Sequence, residues 1–560
     1  MGWHHYRAYK EVIVKIKTLY DSPKDITIES YLNQCGIQDI SEFVLPKGKY
    51  IESWLQNQSV INAELLIDTI NENTYCFIIQ DSDVDGICSA VIAYQFLRHI
   101  NVKKKNICVL FHSGKQHGFK DMYKEIMRHA ENLSQPYFVW CPDAGSNDIC
   151  ECEAIQDHGG NILITDHHET GFDGSIKIHH AIVVNNQIEN TINNKALCGT
   201  GVTYKVIERY CKKEHDSWYK ELLDMVALAN IADVMDMNNY ENRTFNYYGL
   251  RRIKNPFLKF LCETYVKNEI TPKNLAFNVI PKLNAVCRSD NQKLKSDIFK
   301  AFAGIKNNYK ELVKDINKCY SQQRKYVSEK FEEYKKEIDR SHDVYDHGDV
   351  ILFHNAEESN YTGLIATKLS EYYARPVIVV YVDVLTRIWR GSCRSQVDFR
   401  TILSHSNVMN VCIGHEKAFG VEWNHAVCRE LENYIRNLSL DIQPSIDVLC
   451  SCTVPELTDD LFMMGYKYRE LWGHGIEEPK YHLKEIVING ADIREVGTNG
   501  IRFNYGFISF VKFGLSKTAK AELNVGRDIN MRLEVIGTLG INEWNGNVEK
   551  QVAMERIVVI

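Results

Sequence analysis

The stretch that decides the fold is CFIIQDSDVDGICSAV, residues 76–91. Its apolar start predicts a buried strand, three aspartates follow at alternate positions, and a glycine then opens a second apolar run with the pattern of a helix. Alternate side chains of an extended segment lie on one side, so Asp81, Asp83 and Asp85 face a common point. Because like charges so close together repel each other, we interpret the segment as one part of a cation site.

Four more apolar segments have the pattern of strands, at 107–112, 137–143, 161–168 and 181–186. Helical sequence lies between several of them, and this alternation predicts an α/β fold with a parallel sheet. Functional groups of such sheets lie beyond the carboxyl ends of the strands. Asp143 follows one predicted strand end, and Asp166, His167 and His168 lie at another.

Each of these acids on its own could be a helix N-cap. Three strand ends that carry acids and imidazoles to one edge of a sheet favour a metal site instead. Carboxylate oxygens with an imidazole nitrogen suit Mn²⁺ or Mg²⁺. Four or more acids need more than one positive charge, and a pair of divalent ions that supports hydrolysis at phosphorus is the usual arrangement.

The remaining chain divides by pattern. Residues 306–340 are highly charged and lack Gly and Pro, which predicts a long solvated helix, and a second, smaller α/β pattern follows it. From about residue 484 the sequence alternates in the manner of a small β-barrel. The predicted organisation is an amino-terminal helical segment (1–70), a first α/β lobe (71–300), a linker helix (301–343), a second α/β lobe (344–440) and a carboxy-terminal barrel (441–560).

Composition narrows the class of protein. The 560 residues carry a net charge of −7 and are 44% hydrophobic, an ordinary globular balance. The seventeen cysteines include no C-x-x-C pair, which favours reduced thiols in a cytoplasmic protein, with a zinc site as the alternative. Apolar runs stay well below the roughly 18–20 residues of a membrane span, and the first residues have no secretory signal pattern. We expect no membrane association.

The motifs DSDVDG, PDAGS and DHH, in this order, resemble those of the DHH phosphoesterase superfamily. DMVALANIADVMDM is similar to the fourth motif, with Asp233 in the matching position, and CIGHEKAFG resembles the GGH segment, with Ile413 in place of the first glycine. The segments LCGTGVTYKV, PKLNAVCRSDN, GSCRS and LWGHGIEEP resemble the RecJ exonuclease branch. This resemblance covers about residues 30–560.

The resemblance implies a DHH lobe, a DHHA1 lobe and a carboxy-terminal OB-type barrel. It implies a 5′→3′ exonuclease of DNA repair or recombination that hydrolyses single-stranded DNA to mononucleotides, with water activated by two Mn²⁺ or Mg²⁺ ions. The implied metal ligands are Asp81, Asp83, Asp85, Asp143, His167 and Asp233. Asp143 would bridge the ions, His168 would contact the scissile phosphate and Asp166 would orient its neighbours. Asp83 and Asp85 rank above Asp81 as ligands.

Phosphate-binding cations are expected mainly in the second lobe. Arg394 with Ser392 and Ser395 would form a phosphate cradle from a guanidinium, hydroxyls and backbone N–H groups. Further candidates are His415 of the second lobe, and Arg288 and Lys115 of the first lobe. The alternative for each cation is an exposed, solvated charge, and His415 could be a structural turn residue. In the barrel, Phe503, Tyr505, Phe507 and Phe510 are either stacking platforms or core residues, and Asn545-Gly546 beside Trp544 predicts a hairpin turn.

Two other functions remain open. A phosphodiesterase for short oligonucleotides or cyclic dinucleotides would share the metal site but would not need the barrel. A non-catalytic scaffold is disfavoured by intact acids in all four motifs. The expected partners are single-stranded DNA and, by resemblance alone, a single-strand-binding protein and a helicase, with the chain acting as a cytoplasmic monomer.

Overall fold

The computed structural model describes residues 15–114, 116–120, 122–133, 135–170, 180–188, 192–266, 269–357, 360–384, 386–440, 445–544 and 547–560. Lys115 and the predicted Asn545-Gly546 turn lie outside the described residues. The described chain forms two compact units. The terminal unit contains residues 15–49, 236–243 and 445–560, and the two-lobe unit contains residues 50–235 and 244–440.

The first lobe of the two-lobe unit is built on the predicted parallel sheet. Before it, the chain forms β1 (Lys15–Thr18), α1 (Ile28–Gln34) and α2 (Ile40–Val44) of the terminal unit, and then α3 (Gln58–Ile67). The sheet strands are β2 (Cys76–Gln80), β3 (Ile107–Phe111), β4 (Tyr137–Pro142), β5 (Gly160–Asp166) and β6 (Ile182–Asn185). All neighbours pair in parallel in the order β3-β2-β4-β5-β6. The α/β prediction and all five predicted strands are therefore confirmed.

Both faces of this sheet are buried, which explains why its strands are apolar throughout. Along β2, Ile78 packs into one core cluster while Phe77 and Ile79 pack into another. Helices cover the two faces. Those between the strands are α4 (Val84–His99), α5 (Tyr123–Ala130) and α6 (Ile149–Asp157).

A helical region follows the sheet. Its helices are α7 (Gly199–Lys213), α8 (Leu223–Ala232), α9 (Tyr240–Arg251), α10 (Pro256–Tyr265), α11 (Pro272–Asn278), α12 (Ile280–Cys287), α13 (Gln292–Phe302), α14 (Tyr309–Arg340) and α15 (His342–Tyr345). The long helix predicted at 306–340 is α14. Its first part buries Ile316 in the core of the first lobe, and its second part buries Tyr334 in a core cluster of the second lobe.

The second lobe is a mixed five-stranded sheet with three helices. In chain order its elements are β7 (Ile351–Phe353), α16 (Thr362–Tyr373), β8 (Val377–Asp383), β9 (Ile388–Arg394), α17 (Phe399–Ser404), β10 (Val411–His415), β11 (Ala418–Asn424) and α18 (Cys428–Arg436). The strand order is β10-β11-β9-β8-β7, so β9 has a paired strand on each side.

The carboxy-terminal part of the terminal unit is a mixed sheet, and the predicted OB-type barrel is not confirmed. Its elements are β12 (Ser445–Val448), β13 (Ser451–Thr453), α19 (Asp459–Lys467), β14 (Lys480–Asn489), β15 (Arg494–Val496), β16 (Gly500–Tyr505), β17 (Ile508–Lys512), α20 (Lys517–Glu522), β18 (Asn530–Trp544) and β19 (Asn547–Val559). Seven strands pair in the order β13-β14-β18-β19-β17-β16-β15, while β12 pairs with β1. Within the described ranges, no pairing joins β13 to β15 and closes the sheet.

Two further observations concern the cysteines and the helices. All seventeen cysteines are free, so neither Cys150 and Cys152 nor Cys450 and Cys452 form a disulfide. In the described part of the chain, no helix combines the length and the apolar character that crossing a bilayer requires.

Candidate metal centre and phosphate-binding surface

Three neighbouring strands of the first lobe end at the same edge and deliver the predicted groups. Asp81, Asp83 and Asp85 follow β2, Asp143 follows β4, and the DHH segment begins at the last residue of β5. The fourth motif arrives from a helix, because Asp233 is the C-cap residue of α8. Groups from distant parts of the sequence thus meet at one point.

His167 lies at the centre of this group. Its Nε2 is 3.3 Å from Asp143 Oδ1, 3.4 Å from Asp233 Oδ2 and 3.9 Å from Asp85 Oδ2. Ligand atoms within 4.8 Å of one another form three overlapping sets, which are Asp143–His167–His168, Asp85–His167–Asp233 and Asp81–Asp83–Asp143. Asp143 and His167 each belong to two of the three sets.

Two carboxylate oxygens of the site are buried without a hydrogen bond, and this fits a metal. Asp81 and Asp143 are 2% and 1% exposed, and their Oδ1 atoms have no hydrogen-bond partner among the described residues. A buried carboxylate oxygen without a partner is costly. Hard oxygen ligands with one imidazole nitrogen are the donor set that Mn²⁺ and Mg²⁺ take, so the residues present fit the implied ions.

The electrostatics of the site call for added positive charge. Burial raises the pKa of Asp143 well above its usual range, and the nearby carboxylates of Asp85 and Asp83 raise it further. The pKa values of Asp83 and Asp233 are raised by burial and by neighbouring aspartates in the same way. Divalent cations would remove this repulsion and favour the ionised carboxylates.

Asp85 has a structural role in addition to its place at the site. Its carboxylate accepts hydrogen bonds from Gly199 N at 2.7 Å, Thr200 N at 2.8 Å and Thr200 Oγ1 at 2.5 Å. It thereby binds the amino terminus of α7, where backbone N–H groups have no helical partner. Since Asp81 keeps a buried oxygen without a hydrogen bond, the geometry favours Asp81 as a ligand more strongly than the sequence did.

Two glycines permit the close packing of the acids. A Cβ on Gly86 would lie 2.6 Å from the backbone oxygen of Asp81, and a Cβ on Gly199 would lie 2.6 Å from the Cα of Asp143. Both contacts are shorter than side chains allow. The glycine of DSDVDG and the first glycine of GTGVTYKV are therefore needed so that α4 and α7 can begin directly against the site.

Asp166 and His168 form an ion pair beside the cage. Asp166 Oδ1 lies 2.8 Å from His168 Nδ1 and accepts hydrogen bonds from the N–H groups of His167 and His168. Although burial lowers the pKa of His168, the Asp166 charge raises it to about 10. The pKa of Asp166 is lowered by His168 against the effect of burial. Because the His168 side chain is 41% exposed, its charge can reach a ligand.

His117 is a site residue that the sequence analysis missed. Its Nδ1 is 2.6 Å from Asp81 Oδ2, and its ring centre is 6.4 Å from that of His168. His117 is in the segment after β3, which is the fourth strand that ends at this edge. The strand-end rule applied to β3 would have found it. Lys115, which the sequence analysis chose from the same segment, is not described.

Arg288 and Arg394 lie close enough to affect each other. Burial lowers the pKa of Arg394, and the positive charge of Arg288 contributes in the same direction. His415 is exposed, and it belongs with His168 among the charges that lower the pKa of His167, after burial, to about 4. Arg288 and Arg394 are thus neighbours, and His415 lies near His167 of the acidic edge.

The predicted phosphate cradle has a different local structure from the expected one. GSCRS was expected to offer backbone N–H groups, but residues 391–394 lie in β9, whose backbone pairs with β8 and β11. This part of the prediction is wrong, because a central strand uses its N–H groups in the sheet. Ser395 follows the strand, and its hydroxyl accepts a hydrogen bond from Val397 N.

The amino terminus of α16, which has backbone N–H groups without a helical partner, lies beside Arg394 and Ser392. Ser392 Oγ is 3.0 Å from Thr362 Oγ1, and a Cβ on Gly363 would lie 2.8 Å from the Arg394 Nη2 atom. The guanidinium therefore lies over the first turn of the twelve-residue α16. A helix amino terminus with an arginine and two hydroxyls is suited to an anion.

The carboxy-terminal aromatics separate into core and surface residues. Phe503 and Phe510 are 2% and 0% exposed and stack on each other in the core. Phe507 is 99% exposed in the turn between β16 and β17, and Tyr505 is half-buried. Of the four candidates, only Phe507 and Tyr505 could offer a ring face to a ligand. The side chain of Trp544 lies outside the described residues.

The comparisons with known proteins agree with this arrangement. Residues 75–230 match the family model described as the DHH family, N-terminal domain. The chain is 26% identical over 569 residues to the SPbeta prophage-derived single-strand DNA-specific exonuclease YorK of Bacillus subtilis (strain 168), with 95% of this chain and 96% of that protein covered. It is 24% identical over 527 residues to the single-stranded-DNA-specific exonuclease RecJ of the same organism, with 89% of this chain and 63% of that protein covered.

A solved structure shows the same fold. RecJ in complex with Mn²⁺ from Thermus thermophilus matches with a TM-score of 0.71 and 17% identity, covering 97% of this chain and 79% of that chain. Residues 75–230, which match the DHH family model, lie within the part of the chain that shares this fold. Over nearly its whole length the chain is similar to RecJ-type proteins of the DHH superfamily, which confirms the resemblance of its sequence motifs.

Proposed function

We propose that this protein is a divalent-metal-dependent exonuclease that hydrolyses single-stranded DNA from the 5′ end to mononucleotides. The observation that carries the proposal is the convergence of Asp81, Asp83, Asp143, His167 and Asp233 with two buried carboxylate oxygens that lack hydrogen bonds. The single-strand-specific nucleases similar to this chain, and the RecJ structure that contains Mn²⁺, support it.

The acidic residues would hold two Mn²⁺ or Mg²⁺ ions, with Asp143 between them. When bound, such ions supply Lewis-acid activation of water and neutralise charge at phosphorus. His117 orients Asp81 through Nδ1, and the three hydrogen bonds from α7 fix Asp85. The ligands are thereby held in place before substrate binds, which reduces reorganisation during the reaction.

His168 is the group of this chain best placed to act on the substrate. Asp166 holds its Nδ1 and raises its pKa to about 10, so the imidazolium is the prevailing form at neutral pH. The partly exposed ring would donate a hydrogen bond from Nε2 to a non-bridging oxygen of the scissile phosphate. This contact strengthens as negative charge develops in the transition state.

The second lobe would hold the DNA backbone on the other side of the reacting phosphate. Arg394, Ser392 and the first turn of α16 form the anion site, with Arg288 beside it. A site of this kind near the metals would bind a phosphate of the strand and set the end from which cleavage begins. Exposed Phe507 and half-buried Tyr505 offer rings on which bases could stack without sequence preference.

The test is a nuclease assay on single strands labelled uniformly along their length, with Mn²⁺ or Mg²⁺. Parallel strands carry a block at the 5′ end, a block at the 3′ end, or a 5′ hydroxyl in place of the phosphate. We expect mononucleotide release that a 5′ block abolishes and a 3′ block does not. Asp233→Asn should be inactive, whereas Asp157→Asn, an exposed acid at the end of α6, should keep wild-type activity.

Two results would overturn the proposal. Full activity in Asp233→Asn would remove the metal assignment. Cleavage of dinucleotides or cyclic dinucleotides without degradation of long strands would establish the small-nucleotide phosphodiesterase instead.

A further inference from the structure

The metal ligand Asp233 is followed almost at once by a segment that belongs to the other unit. Asp233 is part of the two-lobe unit, but residues 236–243 are part of the terminal unit, and the chain returns to the two-lobe unit at residue 244. Two residues, Val234 and Met235, separate a ligand of the acidic cage from this inserted segment. Whatever fixes the segment therefore acts on the ligand through a very short piece of backbone.

The backbone just after Asp233 has a strained conformation that the packing of local side chains does not explain. Val234 N and Met235 N donate to Ile231 O at 3.4 Å and Asn230 O at 2.9 Å, the hydrogen bonds of a helix end that requires a left-handed residue. That residue is Val234, with φ 55°, where glycine is usual. Its side chain is 52% exposed, so packing of the valine does not impose the strained conformation. Such strain persists where the surrounding structure imposes it.

The inserted segment is fixed on one side by the loop Gly473–Gly475 of the terminal unit. His474 O accepts a hydrogen bond from Met237 N at 2.8 Å. A Cβ on Gly475, which has φ +84°, would lie only 2.0 Å from Asp236 Oδ1, and a Cβ on Gly473 would lie 2.9 Å from Met237 Cγ. The contact therefore requires glycines in the loop. We call residues 473–475 the clamp loop.

Asp236 is the residue through which the clamp loop reaches the turn. Its Oδ1 accepts a hydrogen bond from Asn238 N at 2.8 Å and so closes the turn that leads into α9. A side chain at position 475 would displace this carboxylate and break the turn. The disturbance would begin three residues after Asp233.

The end of the inserted segment, at residue 243, is held by a contact in the terminal unit, and the rest of α9 is held by a contact in the two-lobe unit. Arg243 is 2% exposed and its Nε donates to Phe43 O at 3.2 Å, which holds the first turn of α9 to the amino-terminal helices. Further along α9, a Cβ on Gly249 would lie 2.3 Å from Leu223 O of α8. Helix α8 ends at Asp233. The turn between α8 and α9 is thus fixed at both ends.

We propose that the clamp loop positions the metal ligand Asp233, so that the carboxy-terminal part of the chain is required for metal affinity as well as for holding the strand. The inference rests on the proposed metal site, in which Asp233 is a ligand. The residues that form this contact are Gly473, Gly475, Asp236 and Met237. They are positioning residues, which act through the backbone of residues 234 and 235.

The experiment compares two glycines of the terminal unit in the full-length chain. Gly475→Ala places a methyl group against Asp236. Gly514→Ala is the matched control, because Gly514 has nearly the same backbone angle, φ +82°, and no atom within 4 Å of the added Cβ. Both variants share the cost of a left-handed alanine, and the first alone disturbs the turn. Calorimetric titration with Mn²⁺, without DNA, gives the metal affinity, and thermal unfolding shows that each variant is folded.

We expect Gly475→Ala to lower Mn²⁺ affinity about tenfold, the smaller end of the effect seen when residues supporting metal ligands are changed. Gly514→Ala should retain wild-type affinity. Asp236→Ala introduces no clash, and we expect it to lower the affinity by removing the acceptor for Asn238 N. The loss in the double variant Gly475→Ala/Asp236→Ala should be smaller than the sum of the two losses, since both act on one contact.

Equal Mn²⁺ affinities in the Gly475→Ala and Gly514→Ala proteins would overturn the inference. If Gly475→Ala does not fold, wild-type affinity in Asp236→Ala would overturn it. A chain that binds Mn²⁺ with this pattern but degrades no single strands would disprove the proposed function and leave the positioning role intact. If Gly475→Ala and Asp236→Ala keep nuclease activity and wild-type Mn²⁺ affinity, the positioning role would be disproved and the proposed function would stand.

Discussion

The acidic edge of the first lobe and strand β9 of the second lobe are built in different ways. We call β9, which carries Arg390 and Arg394, the cationic strand. At the acidic edge, buried carboxylates follow strand ends, and backbone N–H groups and histidines hold them in place. On β9, Arg394 and Ser392 project from a strand that is paired on both sides, and the first turn of α16, a helix from elsewhere in the chain, lies against them. The first site depends on where strands end, and the second depends on which side chains of different elements meet.

The largest effect should come from the centre of the acidic edge. Asp143→Asn keeps the shape of the side chain but removes the charge that would bridge the ions, so we expect nuclease activity to fall by a factor of about 10³ or more, the scale of losing a group that stabilises transition-state charge. Mn²⁺ affinity measured by calorimetry should fall as well. Asp157→Asn, which removes the same charge from an exposed position, is the control. An active Asp143→Asn protein would refute the central role of this carboxylate.

A tenfold to hundredfold loss should follow from Arg394→Lys. Lysine keeps the positive charge but loses the two-pronged geometry that an arginine offers to a phosphate. The loss should be in kcat/KM for strands with a 5′ phosphate, with Mn²⁺ affinity unchanged. This separation would show that the two regions contribute independently.

Arg390→Lys is the matched control for the Arg394 variant. Arg390 lies on the same face of β9 four residues earlier, but Glu422 and Asp383 already neutralise it at 2.9 Å and 3.5 Å. It should have little effect on kcat/KM. An equal loss in the two variants would mean that β9 as a whole, rather than the guanidinium of Arg394, matters.

His117→Ala should have a smaller effect, and it tests how much the surroundings of the acids contribute. Removing the imidazole leaves Asp81 Oδ2 without its 2.6 Å contact. We expect Mn²⁺ affinity to fall about tenfold, as is usual when a group that orients a metal ligand is lost, and His117→Gln, which retains a donor, to recover part of it. Unchanged affinity in His117→Ala would show that Asp81 needs no such support.

Sequence predicted the acidic edge better than the cationic strand for a physical reason. The strands of the first lobe are buried on both faces, so their apolar runs are continuous and their ends are visible as the points where acids begin. GSCRS has no such mark, because a glycine and two small residues suit a loop as well as a strand that packs closely; a Cβ on Gly391 would meet Val379 O at 2.0 Å.

Contacts made by residues distant in sequence were not predictable. The first turn of α16 beside Arg394, and the clamp loop against Asp236, depend on the packing of elements that no local pattern connects. The open order of the carboxy-terminal strands is a similar case, since alternation predicts strands but not closure of a sheet. His117 is different, because the strand-end rule would have found it in the sequence.

The smallest effect is the dependence of stability on pH between about 7 and 8.5. In the metal-free protein, Asp166 raises the pKa of His168 to about 10, against the effect of burial. The folded state therefore holds a proton that the unfolded state has largely lost above the ordinary histidine pKa of about 6.5. The free energy of unfolding must then fall as pH rises through this window. The raised pKa values of Asp143, Asp83 and Asp233 act with the same sign.

The groups of the acidic edge whose pKa is lowered do not oppose this slope in the chosen window. Asp81 and Asp166 are ionised in both states above about pH 5, and His167, with a pKa of about 4, is neutral in the folded state and nearly so in the unfolded state. Arginines stay charged throughout, so the guanidinium of Arg394 contributes no slope. Chemical denaturation with a chelator should show a loss approaching about 1.4 kcal/mol per pH unit for each extra proton held. Mn²⁺ favours the ionised carboxylates, so its stabilising effect should grow with pH, and a metal-free protein that gains stability from pH 7 to 8.5 would contradict the assigned protonation of the acidic edge.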